Sequence, residues 1–385
     1  MADLLNVSSG RRHEIDWLRS LAFILLIFYH IGMFYVENWG WHVKSEYQSQ
    51  FLQNLMLMVN PWRMALIFFL SGFALCLIEP KISSMALLKI RFTRIFVPLL
   101  IGMYTVLIPQ PYFEAVQHYG YSGGFWAFTI EYFNPNTELL PQMHHGPLGL
   151  VTWNHLWYLV YLWHYTLVYL ILKPLLLRVA RFINESSVMP CCWLAMLISL
   201  ITLMEVTLEP MFPATHALID DWYNHARYFT VFLAGYFVAK SPRIFDRIVA
   251  FRWGWVSAAI PLYFLSLVLH QTGYFELTTL FDQIVATACL VTNALCWMFG
   301  LIALSGRFLT KSNKALTYLN EAVLPWYILH QSVIIMLGVL FSSMELGGVF
   351  EPILLVTMTF CVCAGLYECI RRSNVLRVVF GMKLV

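Results

Sequence analysis

The sequence predicts an all-α integral membrane protein, a bundle of about ten transmembrane helices forming one domain over 1–385, with both termini in the cytoplasm. Three observations predict it. The first is composition: of 385 residues, 60% are hydrophobic and 12% charged, and mean hydropathy is +0.68. Soluble domains carry about 25% charged residues. The second is length: apolar runs near the ~20 residues a crossing needs recur at 17–37, 57–78, 92–109, 153–173, 191–209, 226–239, 254–271, 283–305, 322–342 and 350–370. The third is charge placement. Basic residues flank alternate runs (Arg11 and Arg12; Lys81, Lys89, Arg91 and Arg94; Lys240, Arg243, Arg247 and Arg252), whereas the opposite connections hold only Lys44 and Arg227. The positive-inside rule then orients the chain. In lipid each crossing must be helical, because no water satisfies its backbone.

The same numbers exclude other classes. A net charge of +3 is too small for a nucleic-acid partner. The eight cysteines lie in or beside apolar runs, as small buried hydrophobes rather than a disulfide framework. The first run is full length and carries polar residues, so it reads as a span rather than a cleavable signal.

The first run holds Asp16, Arg19 and His30. A charged side chain at mid-membrane costs at least about 2.5–3.5 kcal/mol, so such groups serve a purpose. Arg19 and His30 are three helical turns apart, on one face about 16 Å along the axis. Asp16, three residues before Arg19, can pair with it. A snorkelling Arg19, a capping Asp16 and a packing bond for His30 explain the pattern as well as a functional stripe does.

Further along, Arg63 opens the second run, and either snorkels outward or holds an anionic group. Ser71 and Gly72 read as packing residues. Arg91 and Arg94, three apart on one helix face, are either positive-inside charge or a phosphate clamp. Residues 110–152 form the longest exterior segment, without lysine or arginine but with Glu114, Glu131, Glu138 and many aromatics. That composition suits either a sugar or an interfacial aromatic belt. His144 and His145 have no third ligand at metal-binding spacing, so no metal is expected. His155 and Trp157 open the fourth run, and Glu205 lies within the fifth. His330 and Gln331 lie mid-span after Pro325, where both need partners.

Several of these stretches resemble one family. Asp16-x-x-Arg19 followed by His30, the run RMALIFFLSG, Arg91-x-x-Arg94-Ile95-x-x-Pro98, the segment PQPYFE, the run His155-Leu-Trp-Tyr-Leu, YILHQ at 327–331, and the ending YECIRRSNVLRVVFGMK together resemble the integral-membrane acyltransferase 3 family, nearest its glucan biosynthesis protein C subgroup. The stretch 175–320 matches poorly in detail. The resemblance implies transfer of an acetyl or succinyl group from cytoplasmic acyl-CoA, a co-substrate rather than a bound cofactor, to a hydroxyl of an extracytoplasmic glycan, in a bacterial inner membrane. It implies a catalytic role for His30, Arg19 and Asp16, and a donor site at Arg94 and Arg91. Acceptor contacts would come from Arg63, His155, Trp157, His330, Gln331 and Glu114. A secondary transporter is the competing expectation, since it too carries buried charges and broken helices. A membrane sensor without chemistry is a third.

Overall fold

The computed structural model describes residues 11–143, 148–185, 190–273 and 279–384. His144 and His145 therefore lie outside the described residues. In chain order the helices are α1 (His13–Tyr35), α2 (Gln50–Ile78), α3 (Ser84–Arg91), α4 (Val97–Ile101), α5 (Pro109–Tyr119), α6 (Phe125–Tyr132) and α7 (Trp157–Glu185). They continue as α8 (Pro190–Leu208), α9 (Trp222–Lys240), α10 (Pro242–Ala250), α11 (Arg252–Gln271), α12 (Leu280–Phe308), α13 (Lys314–Ser342), α14 (Gly347–Ile370) and α15 (Asn374–Val379). No strand forms among the described residues, and the described cysteines are free.

All ten apolar runs fall on helices. By length and composition, six described helices can cross a membrane, and a seventh crossing results if the bent pair Ser84–Val106 and Pro109–Tyr119 counts as one. The chain is thus a multi-pass membrane protein. Helices α7 and α9 fall short of that measure for a visible reason. Their apolar runs are laced with Tyr158, Tyr161, Trp163 and Tyr165 in one and Asn224, His225 and Arg227 in the other.

The chain divides into two compact units. The first comprises Met1–Ala22, Leu57–Leu88 and His164–Thr317, the second Phe23–Met56, Lys89–Trp163 and Tyr318–Val385. In the first unit α2 and α9 meet backbone to backbone. A Cβ on Gly72 would lie 1.8 Å from the Phe232 carbonyl oxygen, and one on Gly235 would lie 2.0 Å from that of Phe69. Small residues at such crossings let helices approach, so Gly72 is a packing residue. Phe68 stacks on Tyr228 beside this contact, centroids 4.8 Å apart. Three charges sit at one end of these helices: the Glu79 carboxylate holds Lys173 at 2.8 Å and Lys240 at 3.1 Å.

The second unit is built on α13 and α14. Phe34, Val43, Ile334 and Leu355 are buried together there. The helix Ser84–Val106 contains two π-helical stretches, Phe92–Phe96 and Gly102–Val106. In them the backbone bonds skip five residues, as from Leu107 N–H to the Gly102 carbonyl at 3.1 Å. The helix then bends by 44° into α5. Pro109 stands in the first turn of α5, where its missing N–H costs nothing. The segment that begins PQPYFE is therefore helical, and α6 packs on it through Ala115, Phe128 and Tyr132. The connection 36–49 is tied down by Lys44, whose Nζ donates to the Met33 carbonyl (2.9 Å) and the Val36 carbonyl (2.5 Å) at the end of α1. Its backbone N–H also donates to Gln117 Oε1 on α5 at 2.8 Å.

Candidate active site

The second unit brings together polar side chains from four segments. His30 comes from α1, Gln110 from α5, Asn154 and His155 from the short 3-10 turn before α7, and Tyr327, His330, Gln331 and Ser332 from α13. All but His30 and Asn154 are almost wholly withdrawn from solvent: His330 and Gln110 are 0% exposed, Tyr327 2% and His155 6%. An unpaired buried polar group costs several kcal/mol, so the network that satisfies them is informative.

It also fixes the tautomers. His330 Nδ1 faces two backbone carbonyls of its own helix, Tyr327 at 2.8 Å and Trp326 at 3.1 Å. Carbonyls only accept, so Nδ1 carries the proton and His330 Nε2 is the acceptor. The partner of Nε2 is His30 Nδ1 at 2.7 Å. His30 must therefore donate from Nδ1, which leaves Nε2 as its basic nitrogen. The two rings are near-parallel, 18° apart in plane, with centroids 5.0 Å apart.

His155 is fixed the same way. Its Nε2 donates to the Tyr327 carbonyl at 3.0 Å, so one carbonyl holds two imidazoles. The Tyr327 hydroxyl returns a short bond to the His155 carbonyl. His155 Nδ1 then accepts from Gln110 Nε2 at 3.3 Å. Gln110 uses its remaining capacity fully. Its Nε2 also donates to Ser332 Oγ at 2.8 Å, and its Oε1 accepts from Gln331 Nε2 at 3.1 Å and Asn154 Nδ2 at 3.0 Å. The Ser332 hydroxyl in turn donates to the Val106 carbonyl at 2.6 Å, in the second π-helical stretch. His30 and Asn154 are the network's half-buried members.

Of the residues expected from the sequence, four meet here: His30, His155, His330 and Gln331. Trp157 starts α7 and packs edge-on against Tyr161. Glu114 is also in this unit, on α5, and pairs with His42. Arg91 and Arg94 flank the start of the first π-helical stretch. There Gly381, at φ +70°, brings the C-terminal segment against the Arg94 carbonyl, which a Cβ would approach to 2.7 Å. Asp16, Arg19 and Arg63 belong to the first unit. Asp16 accepts from Arg19 Nη2 at 3.3 Å and from Arg11 Nε at 2.7 Å, and Arg63 bonds Asn60. Among the described residues no three His, Cys, Asp or Glu side chains converge as a metal site.

Sequence reasoning did not single out Gln110, Asn154, Ser332 or Tyr327. Gln110 lies within PQPYFE and Tyr327 within YILHQ, so family-like stretches carried the signal. For Asn154 and Ser332 only their partners give them meaning.

The acyltransferase domain model of the acyltransferase 3 family matches residues 12–368. The chain belongs to the acyltransferase 3 family. It is a multi-pass membrane protein of that family. Curated relatives include the glucans biosynthesis protein C of Salmonella paratyphi B, of Salmonella heidelberg and of Salmonella enteritidis, each 23% identical over 161 residues. The match covers 41% of this chain and 38% of each relative, so the chain matches less than half the length of these curated relatives. No solved structure matches the chain.

Proposed function

We propose that this acyltransferase moves an acetyl or succinyl group from cytoplasmic acyl-CoA to a hydroxyl of an extracytoplasmic glycan, with His30 as the base. The whole chain, 1–385, acts as one acyltransferase domain of ten spans in a bacterial inner membrane, with both termini cytoplasmic. The observation that carries the reading is the His30–His330 hydrogen bond. It leaves His30 Nε2 able to accept a proton and His330 Nε2 able to stabilise the imidazolium that results. This is the division of labour seen where a second group orients a catalytic histidine.

The reaction follows from that arrangement. His30 Nε2 takes the acceptor hydroxyl proton as the oxygen attacks the thioester carbonyl. The new C–O bond forms, the C–S bond breaks, and the proton passes from His30 to the departing thiolate. An alternative route acylates His30 Nε2 first and then transfers the group. Arg94 and Arg91 hold donor phosphates, since guanidinium forks match phosphate geometry. Arg19 assists them and Asp16 orients Arg19. His155 and Gln331 hold the dyad in place through Gln110, while Arg63, Trp157 and Glu114 serve the acceptor. The relatives' name, glucans biosynthesis protein C, supports a glucan as acceptor class.

The test is transfer of radiolabelled acetyl- and succinyl-CoA by the purified protein in lipid, wild type beside His30→Ala. Label reaching a glycan, and lost on substitution, supports the reading. Label retained on the wild-type protein favours the acyl-histidine route. If neither donor is turned over while solute flux across vesicles persists, the transporter reading replaces it.

A further inference from the structure

The first unit contains a cavity of about 430 Å³ that acyl transfer does not use. Its wall is aromatic and aliphatic. Two rings from different helices, Trp193 of α8 and Trp255 of α11, pack on Phe299 of α12, and Ile248 and Ala250 of α10 also line the space. The Trp255 N–H is already satisfied by the Ile248 carbonyl at 3.1 Å, so the ring presents only apolar surface. The volume falls within the ~300–1,000 Å³ of ligand sites.

One cation lines this apolar space. Arg247 of α10 is exposed, and among the described residues its guanidinium has no hydrogen-bond or ion-pair partner. Helix α10 is sharply two-sided: Ile244, Phe245 and Ile248 are buried, while Arg243, Asp246 and Arg247 face outward. From Lys240 to Arg252 four basic residues stand against the single Asp246. A two-sided basic helix beside long apolar helices is the pattern of a membrane interface. Just beyond it, the Arg252 Nε is buried without a partner.

We infer that this cavity holds one acyl chain of an anionic phospholipid, with the lipid phosphate on Arg247. Apolar rings and aliphatic side chains take the chain, and the guanidinium takes the phosphate at the depth where headgroups lie. An anionic lipid fits better than a zwitterionic one, because the surrounding excess of positive charge repels a choline. The site goes beyond acyl transfer and stands whether or not His30 is the base.

Titrating the full-length protein in detergent with phosphatidylglycerol carrying brominated chains, and following tryptophan fluorescence, tests it. Saturable quenching is expected, with phosphatidylcholine of the same chains binding about five- to tenfold more weakly, the effect of one arginine near a headgroup. Arg247→Gln should bring phosphatidylglycerol to the phosphatidylcholine level, and Ala250→Phe, at an exposed lining position, should remove saturation for both. Equal binding of the two lipids by the wild type overturns the inference without any variant. So does Ala250→Phe with unchanged binding. Displacement of the lipid by palmitoyl-CoA at lower concentration would reassign the cavity to an acyl donor.

Discussion

Replacing His330 separates a positioning role from a packing role. In His330→Leu, His30 loses the acceptor now 2.7 Å from its Nδ1. In the ground state that bond joins two neutral rings and is worth about 1 kcal/mol. When His30 gains a proton it becomes charge-assisted, worth about 1.5–3 kcal/mol. Only the difference, roughly 1–2 kcal/mol, lowers the barrier, which is about five- to thirtyfold in rate at ~1.36 kcal/mol per decade. His30 also loses the partner that selects its tautomer, adding about a factor of two. The expected loss is therefore about ten- to sixtyfold in kcat. His330→Gln places an amide oxygen near the old Nε2, so it should restore turnover to within about threefold of wild type. The fold should survive both changes, because the carbonyls that His330 bonds lie inside α13, and that of Tyr327 keeps its bond from His155. Single-turnover transfer of labelled acyl groups in nanodiscs at saturating donor reads the effect. Turnover by His330→Leu within threefold of wild type, or a Gln variant as slow as the Leu variant, would refute the tautomer argument.

Two further outcomes follow from the fold. Gly235→Ala should sharply reduce folded yield and thermal stability, by at least the ~1–3 kcal/mol of overpacking, because its Cβ would meet the Phe69 carbonyl rather than a side chain that can move; normal size-exclusion and melting profiles would show that α2 and α9 can separate. Burial lowers the Lys44 ammonium to about 8 from 10.5, so between those pH values the unfolded chain binds more protons and stability rises with pH, the burial cost staying fully present below pH 8. In Lys44→Met that rise should flatten, which thermal melts across pH 7–10.5 will check.

Much of this architecture is legible in the sequence because lipid leaves so few solutions. Apolar runs of span length become helices, and all ten do. Arg19 and Asp16, three apart on a helix, pair as local geometry requires. His30 and His330 stand out individually, since titratable groups in apolar runs are costly. Their meeting is not legible: they lie 300 residues apart, and only the tertiary fold sets them within hydrogen-bond reach. Gln110 is hidden for a different reason. Two prolines in PQPYFE suggest an irregular exterior segment, yet proline suits the first turn of a helix, and the bend after Val106 directs that turn into the core. Glu114 was expected at the acceptor site, and its pairing with His42 rests on a contact across 72 residues. The π-helical stretches have no compositional signature, because the same residue types also propagate an α-helix.

The imidazole pair ends in a carbonyl, and this bears on the energetics of the membrane. A peptide oxygen cannot pass a proton onward, so the chain from His30 through His330 to Tyr327 is closed at its inner end. A proton collected at His30 Nε2 therefore leaves from that same nitrogen, in the proposed reaction to the departing thiolate, and not through the second imidazole. On the proposed reaction the dyad conducts no proton through its own rings, and collapsing the transmembrane proton gradient is expected to leave its turnover unchanged.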